Sequence, residues 1–138
     1  MEEKLKVCEV KLTYKSKIKV SEREQIQSSE KAYKLLLSVF DTETIQYRES
    51  LKMLLLNRAN KVLGICSISE GGTNETSADL HLIMQAAILG NAFGIILAHN
   101  HPSGHLKPSL ADDQLTQRVK EVTKLLDIHL HDHLIITD

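Results

Sequence analysis

Residues 97–113 read LAHNHPSGHLKPSLADD: two histidines one residue apart, a Pro-Ser-Gly turn, then a Pro-Ser pair and two aspartates. In an extended strand, residues i and i+2 point to the same side. His99 and His101 can therefore present both imidazoles to one ion if the extended backbone continues through Asn100. Pro102 and Gly104 then turn the chain, and Pro108-Ser109 suits the start of a helix. Asp112, three residues on, falls in the first helical turn, where its carboxylate can point back toward the strand end. Two imidazoles and one carboxylate, with a fourth position left for water, are the donor set of a catalytic zinc site. Zinc in such a site lowers the pKa of its water to about 7, which supplies a nucleophile at neutral pH. Each part also has a plainer reading. His-x-His fits a polar loop as readily as a ligand pair, and Ser109 with Asp112, taken alone, reads first as an S-x-x-D helix cap.

The remaining histidines compete for the same chemistry. All seven histidines fall in the C-terminal half, at positions 81, 99, 101, 105, 129, 131 and 133. Strand alternation places His129, His131 and His133 on one face of the last strand, but no carboxylate follows them at a helix start, so they are read as structural. His105 belongs to the loop and His81 to a helix. A zinc deaminase needs H-x-E and C-x-x-C, and neither is present. An H-E-x-x-H helix is likewise absent.

These residues need a scaffold, and a chain of 138 residues fits one domain with enough core to fold without metal or disulfide staples. Cys8 and Cys66 are far apart and form no C-x-x-C, and no signal-like or membrane-spanning apolar run occurs. A soluble, cytoplasmic chain with no membrane partner is therefore expected. The formal net charge of −1 gives no general reason to bind a nucleic-acid backbone. Aromatics at 4% and no Trp argue against a base-stacking platform. The exception is the stretch 1–20, with six lysines against three glutamates, where a local basic patch can form.

The pattern along the chain predicts the order β-α-β-β-α-β-α-β. Residues 4–14 mix apolar and charged positions roughly in alternation, as a half-buried strand does. Residues 29–40 carry Ala32, Leu36 and Phe40 at helical spacing. Residues 49–57 and 61–69 read as two strands joined through Asn57-Arg58-Ala59-Asn60, with Glu49 opening the first. Thr76 and Asp79 suit a capping box for a largely apolar, buried helix that ends at Gly90. Residues 92–98, AFGIILA, read as a central strand covered on both faces. A helix follows, with Leu110, Leu115, Val119, Val122 and Leu126 near one face, and a last strand closes the chain. The fold class expected is α/β, a single three-layer domain with a mixed sheet flanked by helices. An N-terminal strand and basic arm would occupy residues 1–27 and the domain proper residues 28–138.

The combination His-x-His, seven residues, Ser-x-x-Asp resembles the metal motif of the JAMM/MPN+ zinc metalloprotease superfamily. More narrowly, AHNHPSG with the following PS, D and LT is similar to bacterial RadC proteins. So are YRESLKMLLLNRANKVLG, EGGT and LDIHLHDHLIIT, and the likeness runs over about residues 28–138. The resemblance implies a cytidine-deaminase-like α/β fold and one zinc held by His99, His101 and Asp112. It also implies Glu49 as the general base and Ser109 as the residue that helps stabilise the oxyanion. Nothing in residues 1–28 resembles the helix-hairpin-helix segment that accompanies DNA binding in full-length members, so nucleic-acid contact is expected to be weak or absent. The family pattern continues past the last strand whereas this sequence stops at Asp138, as in a shortened chain.

Two functions from different classes follow. One is a zinc-dependent hydrolase of amide bonds, acting on a protein or peptide substrate through peptide or lysine isopeptide linkages. The other is a non-catalytic DNA-repair or mobile-element accessory module, kept open by the lysines between Lys4 and Lys19. Substrate identity and oligomeric state are not set by these residues.

Overall fold

A computed structural model of the chain describes residues 6–11, 13, 15–70 and 80–137. Among these described residues, three α-helices and four strands follow one another as α1 (Ser29–Leu37), β1 (Ser50–Leu56), β2 (Val62–Glu70), α2 (Leu80–Leu89), β3 (Gly94–Asn100), α3 (Leu110–Leu125) and β4 (His129–Ile136). The strands form one mixed sheet in the order β2-β1-β3-β4, antiparallel except where β3 meets β4.

The α/β class with a sheet between helical layers is as expected, and the two layers follow from strand alternation. Leu51, Met53 and Leu55 of β1 face the same side as Ile95 and Leu97 of β3, and pack with Ile83 and Ala87 of α2 and Val119 of α3. Leu54, Leu56, Ile96 and Ala98 face the other side, under Ala32 and Leu36 of α1. Every residue of β3 is buried, as its continuous apolar run requires of a strand with neighbours on both edges and cover on both faces. The hairpin between β1 and β2 is closed by the Asn57 side chain, whose Oδ1 accepts the amides of Ala59 and Lys61 at 2.9 Å each. Asn60 takes the left-handed conformation there, at φ 61°.

Several expectations are corrected. Of the strand expected over residues 4–14, the described residues 6–11 and 13 carry no strand, and Val7 and Val10 are 78% and 84% exposed. Val7, Cys8 and Val10 do not lie on one face of a period-2 pattern, so a strand there could not bury them together. Helix α2 is only half buried: Ile83, Met84 and Ala87 face the core, while Ile88 and Leu89 are exposed. Its C-terminal left-handed residue is Asn91, at φ 56°, and not Gly90. Gly90 serves packing instead, since a Cβ there would lie 2.6 Å from Cδ1 of Leu55. The capping pair Thr76 and Asp79 lies outside the described residues.

The largest correction concerns the histidines of β4. Leu130 pairs with Ile95 but Asp132 with Ile96, so one extra residue, His131, is inserted against β3. A bulge of this kind resets which side chains face which layer. His129 and His131 stay on the α1 side, their rings 4.4 Å apart, with His131 Nε2 over Gly94. His133 comes out beside Leu97 on the opposite face. The three do not share a face.

Candidate metal centre

The site is assembled where β3 ends, β1 begins and α3 starts. Leu51 lies opposite His99 in the antiparallel pairing of β1 with β3. Continuing that register sets Ser50 against Asn100 and Glu49 against His101. The strand pleat turns His99 and His101 to the α3 side and Asn100 to the other. Asn100 is fully buried; its Oδ1 accepts the Ser50 amide at 2.8 Å, and its Nδ2 donates to the carbonyls of Ile45 and Arg48 at 2.8 and 2.7 Å. One amide thus fixes the backbone on both sides of Glu49.

Helix α3 brings the second carboxylate. Ser109 is its N-cap: its Oγ accepts the Asp112 amide at 3.1 Å, and its own amide donates to Asp112 Oδ2 at 2.7 Å. The plain capping reading of Ser109 and Asp112 is therefore realised, and the cap itself aims the carboxylate. Asp112 Oδ1 lies 3.0 Å from His99 Nε2, and Oδ2 lies 3.1 Å from His101 Nε2. The two Nε2 atoms are 2.7 Å apart. Glu49 Oε1 is 3.9 Å from His101 Nε2, and Glu49, His99 and His101 each offer a ligand atom within 4.8 Å of the others. All four expected metal and base residues are thus brought together, with Ser109 at the rim.

The donor chemistry fits a cation. His101 Nδ1 is 2.8 Å from the carbonyl oxygen of His105. A carbonyl can only accept, so Nδ1 carries the proton and a neutral His101 turns a bare Nε2 inward. Lone pairs of imidazole and carboxylate converge on one point, an arrangement that repels itself unless a positive charge is shared among them. Burial, the largest influence, pushes the His99 pKa down; the nearby Asp112 carboxylate raises it again in part. For Asp112, burial alone would raise the pKa, but hydrogen bonding from the Ser109 backbone and the neighbouring His99 outweigh it and hold the group below the usual carboxylate value. A neutral imidazole beside an ionised carboxylate is the state that binds a divalent metal.

A cleft of about 480 Å³ opens beside these residues, lined by His99, Asp112, Thr116, Lys120 and Leu106, with the length of β4 from Leu130 to Ile135 along its other wall. His133 lies in that wall, its Nε2 2.7 Å from His99 Nδ1. Burial, reinforced by His99, pushes its pKa down to about 4. The sequence reads this residue as structural together with His129 and His131, since alternation gives all three one face and no carboxylate follows at a helix start; alternation alone cannot reveal the bulge that separates them.

A three-layer domain whose interior strand runs into His-x-His and whose next helix opens with a capped aspartate is the arrangement of a RadC-like JAB domain. Residues 26–138 match the model of that family, and the chain belongs to it, and so to a family of JAMM/MPN type. It is 49% identical over 116 residues to a UPF0758 protein of Porphyromonas gingivalis, covering 84% of this chain and 50% of that protein. A UPF0758 protein of Clostridium perfringens is 38% identical over 134 residues, 97% of this chain and 57% of that protein. UPF0758 protein YkfG of Escherichia coli K12 is 40% identical over 89 residues, 64% of this chain and 56% of that protein. The chain thus spans about half the length of these relatives.

Proposed function

We propose that this chain is a zinc-dependent peptidase or isopeptidase that hydrolyses an amide bond of a protein or peptide substrate. The observation that supports it is the convergence of His99 Nε2, His101 Nε2 and both Asp112 oxygens within 3.1 Å of one another in the pairs given above, with Glu49 beside them. His99, His101 and Asp112 would hold the ion. When bound, zinc supplies Lewis-acid polarisation of the scissile carbonyl and acidifies water.

The rest of the mechanism belongs to the chain. Glu49, its side chain largely buried beside His101, takes a proton from the attacking water and returns it to the leaving amine. Ser109, at the mouth of the site, helps hold the oxyanion of the tetrahedral intermediate. The cleft along β4 accepts the substrate chain. A cytoplasmic setting is part of this reading. Among the described residues, no helix is long and apolar enough to cross a membrane.

The test is elemental analysis of purified protein, with turnover of a peptide and lysine-isopeptide library in the presence and absence of chelator. One zinc per chain and chelator-sensitive hydrolysis are expected. Metal-free protein that cannot be loaded, or loaded protein that cleaves nothing, overturns the reading. One observation favours the accessory-module alternative: Lys6, Lys11, Lys15, Lys17 and Lys19 are all exposed. So small a set of lysines gives only weak, salt-sensitive binding, so submicromolar affinity for duplex DNA at physiological salt would favour that alternative.

A further inference from the structure

The contacts behind His99 determine where its proton sits. Thr116 Oγ1 donates to the carbonyl of Asp112 at 2.9 Å, and the same oxygen is 2.7 Å from His133 Nδ1. A hydroxyl has one proton and a carbonyl has none. With that proton committed to Asp112, Thr116 can only accept from His133, so His133 carries its proton on Nδ1. Its Nε2 is then an acceptor, and the 2.7 Å contact with His99 requires the proton to be on His99 Nδ1. His99 Nε2 is left bare, toward Asp112 and His101.

The backbone beneath is held just as closely. Asp132 Oδ1 accepts the His133 amide at 2.9 Å, and its Oδ2 accepts the Ser29 hydroxyl of α1 at 3.1 Å. The bulge at His131 is what turns His133 to this face. With Thr116 donating to Asp112, the chain Asp112 carbonyl, Thr116, His133, His99 runs in one direction; the reverse, with Thr116 donating to His133, would place the His99 proton on Nε2, 3.0 Å from Asp112 Oδ1.

We propose that His133 and Thr116 are positioning residues that lock His99 into its Nδ1–H tautomer and so aim the Nε2 lone pair into the metal centre. Free histidine in water favours the opposite tautomer, so this protein works against the default at this position. Partners behind a ligating histidine typically change metal affinity by about 10- to 100-fold when removed. The consequence for metal rests on the zinc reading above; the tautomer itself does not.

The experiment uses uniformly 15N-labelled, metal-free protein above pH 7, with long-range 1H–15N spectra that report which ring nitrogen of each histidine is protonated. Nδ1–H on both His99 and His133 is expected. Nε2–H on His99 overturns the proposal, with no metal involved. Thr116→Val, which keeps shape and removes the hydroxyl, should admit the Nε2–H form of His99. Zinc affinity, read by competition with a chromophoric chelator, should fall by about 10- to 100-fold. Thr116→Ser should restore both. Valine and serine variants that match wild type in tautomer and affinity assign Thr116 a packing role only and overturn the proposal. If wild-type protein takes up no zinc, the zinc reading fails, while the spectra still decide the tautomer.

Discussion

Asn100 Oδ1 accepts the backbone amide of Ser50 at 2.8 Å, across the junction where β1 and β3 carry Glu49 and His101. The residue between the two histidines is thus the one that holds the glutamate, and it does so from the opposite face of the sheet. Asn100→Ala deprives the part-buried Ser50 amide and the carbonyls of Ile45 and Arg48 of this partner. Each such group costs about 1–3 kcal/mol, so a loss on the order of 3 kcal/mol in urea denaturation is expected. Turnover should fall further than zinc content, because the histidines keep their strand while Glu49 loses its anchor.

Glu49→Gln removes the group proposed to carry the proton while keeping its shape. The fold and one zinc per chain should persist, and turnover should drop by about 10²–10⁴. Zinc stoichiometry and rate are measured on the same preparation. Loss of zinc together with activity makes Glu49 a ligand, which its place among the mutually close ligand atoms makes a definite second outcome.

His99→Ala should abolish stoichiometric zinc binding, since it removes the donor nearest both His101 and Asp112. Wild-type protein stripped with chelator should remain folded, because the two core layers consist of apolar side chains on either face of the sheet. A cooperative loss of circular dichroism on chelation would contradict this.

Ser109→Ala tests whether the residue only caps α3. Loss of the cap costs about 1 kcal/mol, and Ser109→Gly less. If Ser109 also steadies the oxyanion, both variants should lose turnover at saturating zinc beyond what their stability change accounts for. Full activity in the glycine variant would reduce the residue to its cap.

In the metal-free protein, stability should fall as pH drops below 6.5, the ordinary histidine value, toward about 4 for His133. Over that window the unfolded chain takes a proton that the folded protein, with His133 buried among His99, His101, Asp112 and Asp132, does not. One such proton is worth about 1.4 kcal/mol per pH unit. His99, also lowered, adds in the same direction. Asp112 acts at lower pH, its contribution being lost as pH falls below 3.8. Urea midpoints from pH 8 to 4 check this, and His133→Gln should flatten the slope.

The parts of this protein legible in its sequence are those governed by local periodicity. The apolar run at 92–98, the hairpin through Asn57 to Asn60 and the helix after Ser109 all have short-range causes. So do the shared side of His99 and His101 and the return of Asp112, which need only a strand pleat and a helix cap. The bulge at His131 has no such signature, because it depends on how β4 lies against β3, and it alone decides that His133 meets His99 while His129 and His131 do not. Residues 6–11 mislead for a different reason: apolar and charged residues mix as in a half-buried strand, but Val7 falls on the face opposite Cys8 and Val10, so no single face could be buried.

His99 lies in an interior strand, hydrogen-bonded to β1 on one side and β4 on the other. Amides in such a strand exchange with solvent through global unfolding, whereas exposed loops and helix ends open far more often. Residues 103–110, all exposed, connect this strand to the helix that carries Asp112. Hydrogen exchange should therefore be slowest through β3, which carries His99, and faster across the loop at 103–110 that leads to the helix of Asp112. An opening of that loop would expose the carboxylate side of the centre without any strand of the sheet coming apart.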